Sequence, residues 1–247
     1  MKEISSPHLL QRLFLDSEEN GSFPSLKAGI SLLLSKEHTH YLGNVLRRRI
    51  GDYIRLFNGK DGEWLAKISS LTRRETSVEV VKCLRSQQPL KKQKQLLFSP
   101  LKRDATELVI RMGTELGVSR FRPLVMARTN LRQLNEKRLK MIAIEASEQS
   151  ERLDIPEILP ITPMCTTLAQ WHENMPIAVA MERESALPRK LEKKIDTVLV
   201  GPEGGFSEEE KEQILKCHFC HPFSLGEQIL RADTAIVAAL TSLEINF

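Results

Sequence analysis

The residues best suited to chemistry lie in two glycine-bearing runs near the end of the chain, Thr197–Glu210 (TVLVGPEGGFSEEE) and Leu225–Ala235 (LGEQILRADTA). In the first, Gly201-Pro202-Glu203-Gly204-Gly205 breaks sharply after the apolar run Val198-Leu199-Val200. Glycines allow positive φ and let a ligand approach the backbone closely, while Pro202 stiffens the turn. The charge of the run narrows the ligand class. A phosphate cradle supplies a lysine or bare helix amides, whereas here Glu203 lies inside the loop and Glu208, Glu209 and Glu210 crowd the turn after it. Those carboxylates are expected to repel a pyrophosphate and to tolerate ribose hydroxyls, adenine edges or a positive centre. The second run repeats the logic, with Leu225, Ile229 and Leu230 able to pack adenine. Arg231, close to Glu227 and Asp233, reads either as a functional cation or as half of a local salt bridge.

One further run carries ligand-type residues. Cys217-His218-Phe219-Cys220-His221 fits the C-x-x-C-H haem-attachment pattern. That chemistry belongs outside the cytoplasm, a structural zinc needs four well-placed ligands, and no second C-x-x-C pair exists. The run is read as structural, with no metal expected.

Positioning the two glycine loops requires strands before them and helices after them. Ser207 followed by Glu210 is a capping box, so a helix starts there. From Gln95 onward, strand-like runs alternate with helical ones. Strands are expected at Gln95–Phe98, Phe121–Met126, Pro176–Ala180, Asp196–Val200 and His221–Leu225. Helices are expected after Asp104 as a cap, over Glu136–Ser150, and over Asp233–Glu244. Such alternation predicts a parallel sheet with helices on both faces, whose ligands bind beyond the carboxyl ends of the strands. Residues 9–84 read differently. Leu32-Leu33-Leu34, Tyr53–Phe57, Glu63–Ile68 and Ser77–Leu84 are short strands joined by Asn58-Gly59 and Asp61-Gly62 turns, with one helical interruption over Lys36–Arg48. A small β-barrel over residues 1–85, a polar linker over 86–94 and an α/β domain over 95–247 follow.

Composition sets the remaining bounds. The chain has 247 residues, long enough for two domains or one large one, and its 41% hydrophobic content supplies a substantial core. No apolar run approaches the ~20 residues of a membrane span, and the charged start MKEISSPHLLQRLFLDSEEN does not suit a signal peptide, so a cytoplasmic protein is expected. The net charge of +4 is unevenly placed. Residues 1–94 hold 17 Lys and Arg against 10 Asp and Glu, or +7, and the remainder is −3. A basic front end on a near-neutral body suits a polyanion, though Arg47-Arg48-Arg49 can equally be a solvated face. A dinucleotide-dependent oxidoreductase is disfavoured because no G-x-G-x-x-G follows the first strand. A non-catalytic RNA-binding module stays open.

VLVGPEGGFSEEE paired with LGEQILRADTA resembles the C-terminal motifs of the bacterial ribosomal RNA small subunit methyltransferase E family, which is of the SPOUT class. HYLGNVLRRRIGD, FNGKDGEWLAKI, TELGV and IAIEASEQSERLDIPEI agree, so the likeness covers nearly the whole chain. It implies an N-terminal PUA-like RNA-binding barrel, a SPOUT domain with a C-terminal trefoil knot, a homodimer, and methylation of N3 of a uridine in 16S rRNA. The substrate would be 16S rRNA, expected within the assembled small ribosomal subunit rather than as naked RNA. S-Adenosylmethionine would be the cofactor, held by three loops. Ala180, Met181 and Glu182 form the first. Leu199, Val200, Gly201, Pro202, Gly204 and Gly205 form the second, and Leu225, Gly226, Ile229 and Leu230 the third. Arg231 and Glu203 are the implied catalytic residues, and Arg12, His40, Arg47, Arg128, Gln149 and Arg152 the implied RNA contacts. Gln228, Ala232-Asp233, Glu151, Met112 and Asn44 depart from the family pattern at RNA-facing or loop-shaping positions.

Overall fold

The computed structural model describes residues 7–16, 25–88, 93–131, 133–181, 187–188, 191 and 194–245. Two compact units emerge, 1–89 with 147–154, and 90–146 with 155–247. The grouping of 147–154 with the first unit has no counterpart in the sequence reading, which runs the second domain continuously from residue 95.

In the first unit, strands β1 (Arg12–Phe14), β2 (Ser31–Leu33), β3 (Tyr53–Phe57), β4 (Glu63–Leu71) and β5 (Thr76–Arg85) form one sheet in the order β1-β3-β4-β5-β2. β1 runs parallel to β3 and the other pairings are antiparallel. Period-2 alternation sends Ile54, Leu56, Ala66, Ile68, Val78 and Val80 into one core. Helix α1 (Lys36–His40) starts at Ser35, whose hydroxyl accepts the His38 amide at 3.1 Å, and a π turn (Tyr41–Val45) continues it. The helical interruption is therefore shorter than the expected Lys36–Arg48, and Arg47 sits at φ 52°, in the left-handed region.

A buried ionic cluster joins this sheet to residues 147–154 of the same unit. Glu63 accepts from Arg12 Nε at 2.5 Å and Arg85 Nε at 2.9 Å, with Arg55 Nη1 at 3.6 Å. The remaining nitrogens of Arg12 donate to the carbonyls of Ser147, Glu148 and Arg152 at 2.7, 2.8 and 2.5 Å. Burial pushes the Arg12 guanidinium below its ordinary pKa, against the opposing pull of Glu63. Glu151, at φ 60°, pairs with Arg55 Nη1 at 2.9 Å, and this bond holds its carboxyl below the usual range.

The second unit is built on strands β6 (Gln95–Phe98), β7 (Arg120–Val125), β8 (Glu157–Ile158), β9 (Thr162–Pro163), β10 (Ile177–Ala180), β11 (Thr197–Val200) and β12 (Cys220–Phe223). Their order is β12-β10-β11-β6-β7-β8, with β9 on β7, and every pairing is parallel, as expected. Alternate residues of the central strands enter opposite cores: Leu96, Phe98, Val198 and Val200 in one, Leu97, Leu199, Ile177 and Val179 in the other. Helices α2 (Arg103–Glu115), α3 (Glu136–Gln149) and α6 (Ala232–Ile245) supply the first core. α4 (Met164–Ala169) and α5 (Glu208–Lys216) supply the second. Asp104 does not cap α2, which begins at Arg103 without a side-chain cap; Thr106 Oγ1 instead bridges the Leu101 amide and carbonyl at 2.9 and 3.0 Å. Among the described residues no helix is long and apolar enough to cross a membrane.

Candidate functional site

Three parallel strands of the second unit end beside one another, and each delivers a loop. From β11 comes Gly201–Gly205, closed by the Gly205 amide donating to the Pro202 carbonyl at 2.8 Å, with Gly205 at φ 71°. Gly201 presses on the Phe206 ring, which a Cβ at that position would meet at 3.1 Å. The helix after the loop starts at the expected capping box. Ser207 Oγ accepts the Glu210 amide at 3.2 Å, and Glu210 Oε2 accepts the Ser207 amide at 2.8 Å. From β10 come Ala180 and Met181, the latter donating its amide to the Phe223 carbonyl at 3.0 Å. From β12 comes the run to Arg231, turned by Ser224 Oγ, which meets both polar backbone atoms of Gly226 at 3.2 Å.

These loops enclose a cavity of about 310 Å³. Of the expected cofactor-binding residues, Ala180, Met181, Val200, Gly201, Pro202, Gly204, Gly205, Leu225, Ile229 and Leu230 line it. Leu199 does not: its side chain is fully buried in the core on the opposite sheet face, because the pleat turns it away from Val198 and Val200. Gly226 borders a smaller adjoining recess of about 20 Å³. Glu182 lies outside the described residues.

Phe206, Lys211, Ala232 and Ala235 also line the cavity and were not anticipated. Ala232 and Ala235 open the last helix, and their small side chains leave the space. Lys211 stands one helical turn after Ser207, a spacing that could have been read once the cap was placed. Arg128, expected on RNA, lines the cavity as well. It stands in the turn after β7, and its Nη1 donates to the Gly204 carbonyl. That turn is fastened by Thr129 Oγ1, which accepts the Met126 amide at 2.8 Å and meets Ser99 Oγ at 2.7 Å.

The charge of the wall differs from the expectation raised by the sequence. Of the four carboxylates in Glu203–Glu210 only Glu203 borders the cavity, whereas Arg128 and Lys211 both do. Glu210 is turned inward by its capping role, and Glu208 and Glu209 point to solvent. The carboxylates crowding the sequence therefore do not make an acidic pocket.

Glu203 is exposed on the rim. Arg231 is exposed beside the lining residues Leu230 and Ala232, and its carbonyl accepts the Ala235 amide at 2.7 Å. Among the described residues no ion pair joins it to Asp233, whose carboxylate takes the Thr234 amide at 2.7 Å. In the first unit His40, Arg47 and Gln149 are exposed. Arg152 is mostly covered and pairs with Asp154 at 2.7 Å. Arg12 corrects the expectation of an RNA contact, since it is 3% exposed and all three guanidinium nitrogens are spent inside the protein.

The family model described as an RNA methyltransferase domain matches residues 88–244, and an RNA methyltransferase PUA domain model matches residues 34–81. The chain is 35% identical over 217 residues to the ribosomal RNA small subunit methyltransferase E of Rickettsia conorii, covering 86% of this chain and 88% of that one. Against the Bacillus subtilis protein of the same name identity is 27%, over 95% of this chain and 96% of the relative. The crystal structure of the Neisseria gonorrhoeae family member bound to S-adenosyl methionine superposes with a TM-score of 0.80 at 26% identity, covering 95% of this chain and 97% of that one. A methyltransferase from Legionella pneumophila in complex with the same cofactor gives 0.79 at 26% identity, with the same coverage. With two domain models in register and a relative at this identity along most of its length, the chain belongs to the ribosomal RNA small subunit methyltransferase E family.

Proposed function

We propose that the protein transfers a methyl group from S-adenosylmethionine to N3 of a uridine in 16S rRNA, as a cytoplasmic homodimer acting on the small ribosomal subunit. The observation that carries this reading is the cavity at the ends of β10, β11 and β12, within a chain of this family. Its residues fit the cofactor. Glycine backbone on one side allows close approach, Leu225, Ile229 and Leu230 offer an apolar surface for adenine on the other, and no phosphate needs neutralising. When bound, the cofactor supplies a methyl group activated on a sulfonium sulfur. The resemblance further implies that the chain from β10 to α6 passes through a trefoil knot.

The uridine imide N–H must lose its proton before N3 can attack, so the protein's task is to position the base and stabilise the developing imide anion. Arg231, an exposed cation at the cavity edge, is assigned that stabilisation. Glu203 orients the loop or accepts a hydrogen bond from the cofactor; the general-base role is the weaker alternative. His40, Arg47 and Gln149 are offered as RNA contacts, the two basic ones to phosphate. Arg152 can join them only by leaving Asp154.

The test pairs turnover with binding. Arg231→Ala should abolish methylation of small subunits from a strain lacking the enzyme, while calorimetry shows cofactor affinity close to that of the parent. Full activity in the variant would remove Arg231 from the mechanism. A methyl group mapped by mass spectrometry to a position other than uridine N3 would redirect the reading to another nucleotide.

A further inference from the structure

Among the described residues the cavity wall carries two cationic side chains, Arg128 and Lys211, which come from different elements and neither of which the sequence placed at the cofactor. Arg128 is fixed through its bond to the Gly204 carbonyl, and a Cβ on Gly204 would meet its Cδ at 3.0 Å, so its stem lies flat on the loop. The turn carrying it is pinned to α5, since Glu210 Oε1 accepts the Ala127 amide at 2.7 Å. Lys211, one turn into α5, pairs with the exposed Glu208 at 2.9 Å and keeps further N–H donors. Among the described residues the remaining wall is apolar or backbone, with Glu203 as its single carboxylate. Two cations converging on one small cavity make a receptor for an anionic group.

We infer that Arg128 and Lys211 bind the carboxylate of the amino-acid part of the cofactor, an inference that rests on the proposed S-adenosylmethionine reading. The ligand is asymmetric in a matching way: its adenosine end needs apolar walls and close backbone, and its amino-acid end carries one carboxylate and one ammonium. Leu225, Ile229 and Leu230 stand on the wall from β12, whereas Arg128, Lys211 and Glu203 belong to the glycine loop and its neighbours. Arg128 is thus a cofactor-orienting residue. Holding the carboxylate there sets which way the sulfur-bearing chain runs.

The experiment compares two ligands that differ only in the carboxylate, S-adenosylmethionine and its decarboxylated form, by calorimetric titration of the full-length protein, Arg128→Gln and Lys211→Gln. A charge-assisted hydrogen bond in a partly enclosed site corresponds to a preference of about 10-fold or more. The parent should therefore prefer the carboxylated ligand by at least that factor, and each variant should lose most of the preference. The ratio is read within one protein, so a general loosening of the loop by Arg128→Gln, weakening both ligands alike, does not imitate the effect. Lys211→Gln, on a helix surface, keeps the test available if the Arg128 variant does not fold. A parent that binds both ligands equally, or variants that keep the parent's preference, would overturn the subsite and leave the cofactor assignment standing. A folded parent that binds neither ligand overturns the proposed function itself.

Discussion

Glu210 holds Ala127. One carboxylate oxygen accepts the Ala127 amide at 2.7 Å and the other accepts the Ser207 amide at 2.8 Å, so a single buried side chain caps α5 and ties it to the turn after β7. The capping box is a local device, but here its acidic member also fixes the position of Arg128 against Gly204. Glu210→Ala keeps the Ser207 cap but removes the reciprocal half of the capping box and leaves the Ser207 and Ala127 amides without their acceptor, at a cost of about 2–3 kcal/mol. Glu210→Gln retains one acceptor oxygen and should cost about half as much. Urea denaturation checks both, and cofactor affinity should fall in the same order. Equal midpoints for parent and Glu210→Ala would show that the bridge is not formed in solution.

The two glycines of the loop should fail in different ways. At Gly201 a Cβ meets three atoms of the buried Phe206 ring at 3.1–3.3 Å, and a ring packed in the core cannot yield cheaply. Gly201→Ala should lower stability by about 1–3 kcal/mol. At Gly204 the obstacle is the stem of exposed Arg128, which can swing aside. Gly204→Ala should keep stability within about 1 kcal/mol of the parent while weakening cofactor binding through the displaced guanidinium. Thermal melts alongside calorimetry separate the two, and a Gly204→Ala protein with parental affinity would count against Arg128 as a ligand.

What the sequence reveals is what is local. The capping box spans three residues, the β3–β4 hairpin is written in adjacent alternating runs, and each central strand of the second unit is a short apolar run before a turn. All are found within a residue or two of where patterning puts them, apart from the strand ends. The non-local features are hidden. β1 is three residues long and pairs with β3 across some forty positions, so no window around Arg12 discloses that it is a buried strand residue. The basic front end is partly an internal matter, since Arg12, Arg55 and Arg85 all face Glu63. Likewise Glu203 and the run Glu208-Glu209-Glu210 look like an acidic pocket until the helix turns the run away and leaves only Glu203 at the cavity. Composition gives the sum of the charges and not the side on which each lies.

Cys220 should behave as an inert thiol. It is free, 8% exposed, and its pKa is pushed up to about 12, by burial first and then by Cys217. Reactivity requires the thiolate, so at pH 8 a maleimide or alkylating reagent should modify the exposed Cys83 and Cys165 first and reach Cys220 only on unfolding. The sign of the linked stability follows. Above the ordinary thiol value of 9.0 the unfolded chain releases this proton while the folded one keeps it up to about 12, so this contribution to stability falls with rising pH across that window. Rapid labelling of Cys220 in the native protein, located by peptide mass spectrometry, would contradict the burial.

Glu63 should be the most sensitive single position in the first unit. Its side chain is 2% exposed and serves Arg12 at 2% and Arg55 at 6%, while Arg85 is 39% exposed. Removing one member of a buried ionic group leaves the others charged without compensation, which costs about 3–5 kcal/mol. Glu63→Gln should fall in that range, whereas Arg85→Gln, whose guanidinium remains hydrated, should cost about 1 kcal/mol or less. Arg12 links the cluster to the carbonyls of Ser147, Glu148 and Arg152, so the damage should spread to residues 147–154. Amide hydrogen exchange there should accelerate in Glu63→Gln and in Arg12→Met, and less in Arg85→Gln, which loses one exposed bond to the Glu151 carbonyl. Replacing the pair together, Arg12→Met with Glu63→Leu, removes the most buried of the stranded charges, leaving Arg55 paired with Glu151, and should recover part of the stability lost in Glu63→Gln. If the double variant is no more stable than Glu63→Gln, the cost lies in the carbonyls left without Arg12 rather than in the stranded charges.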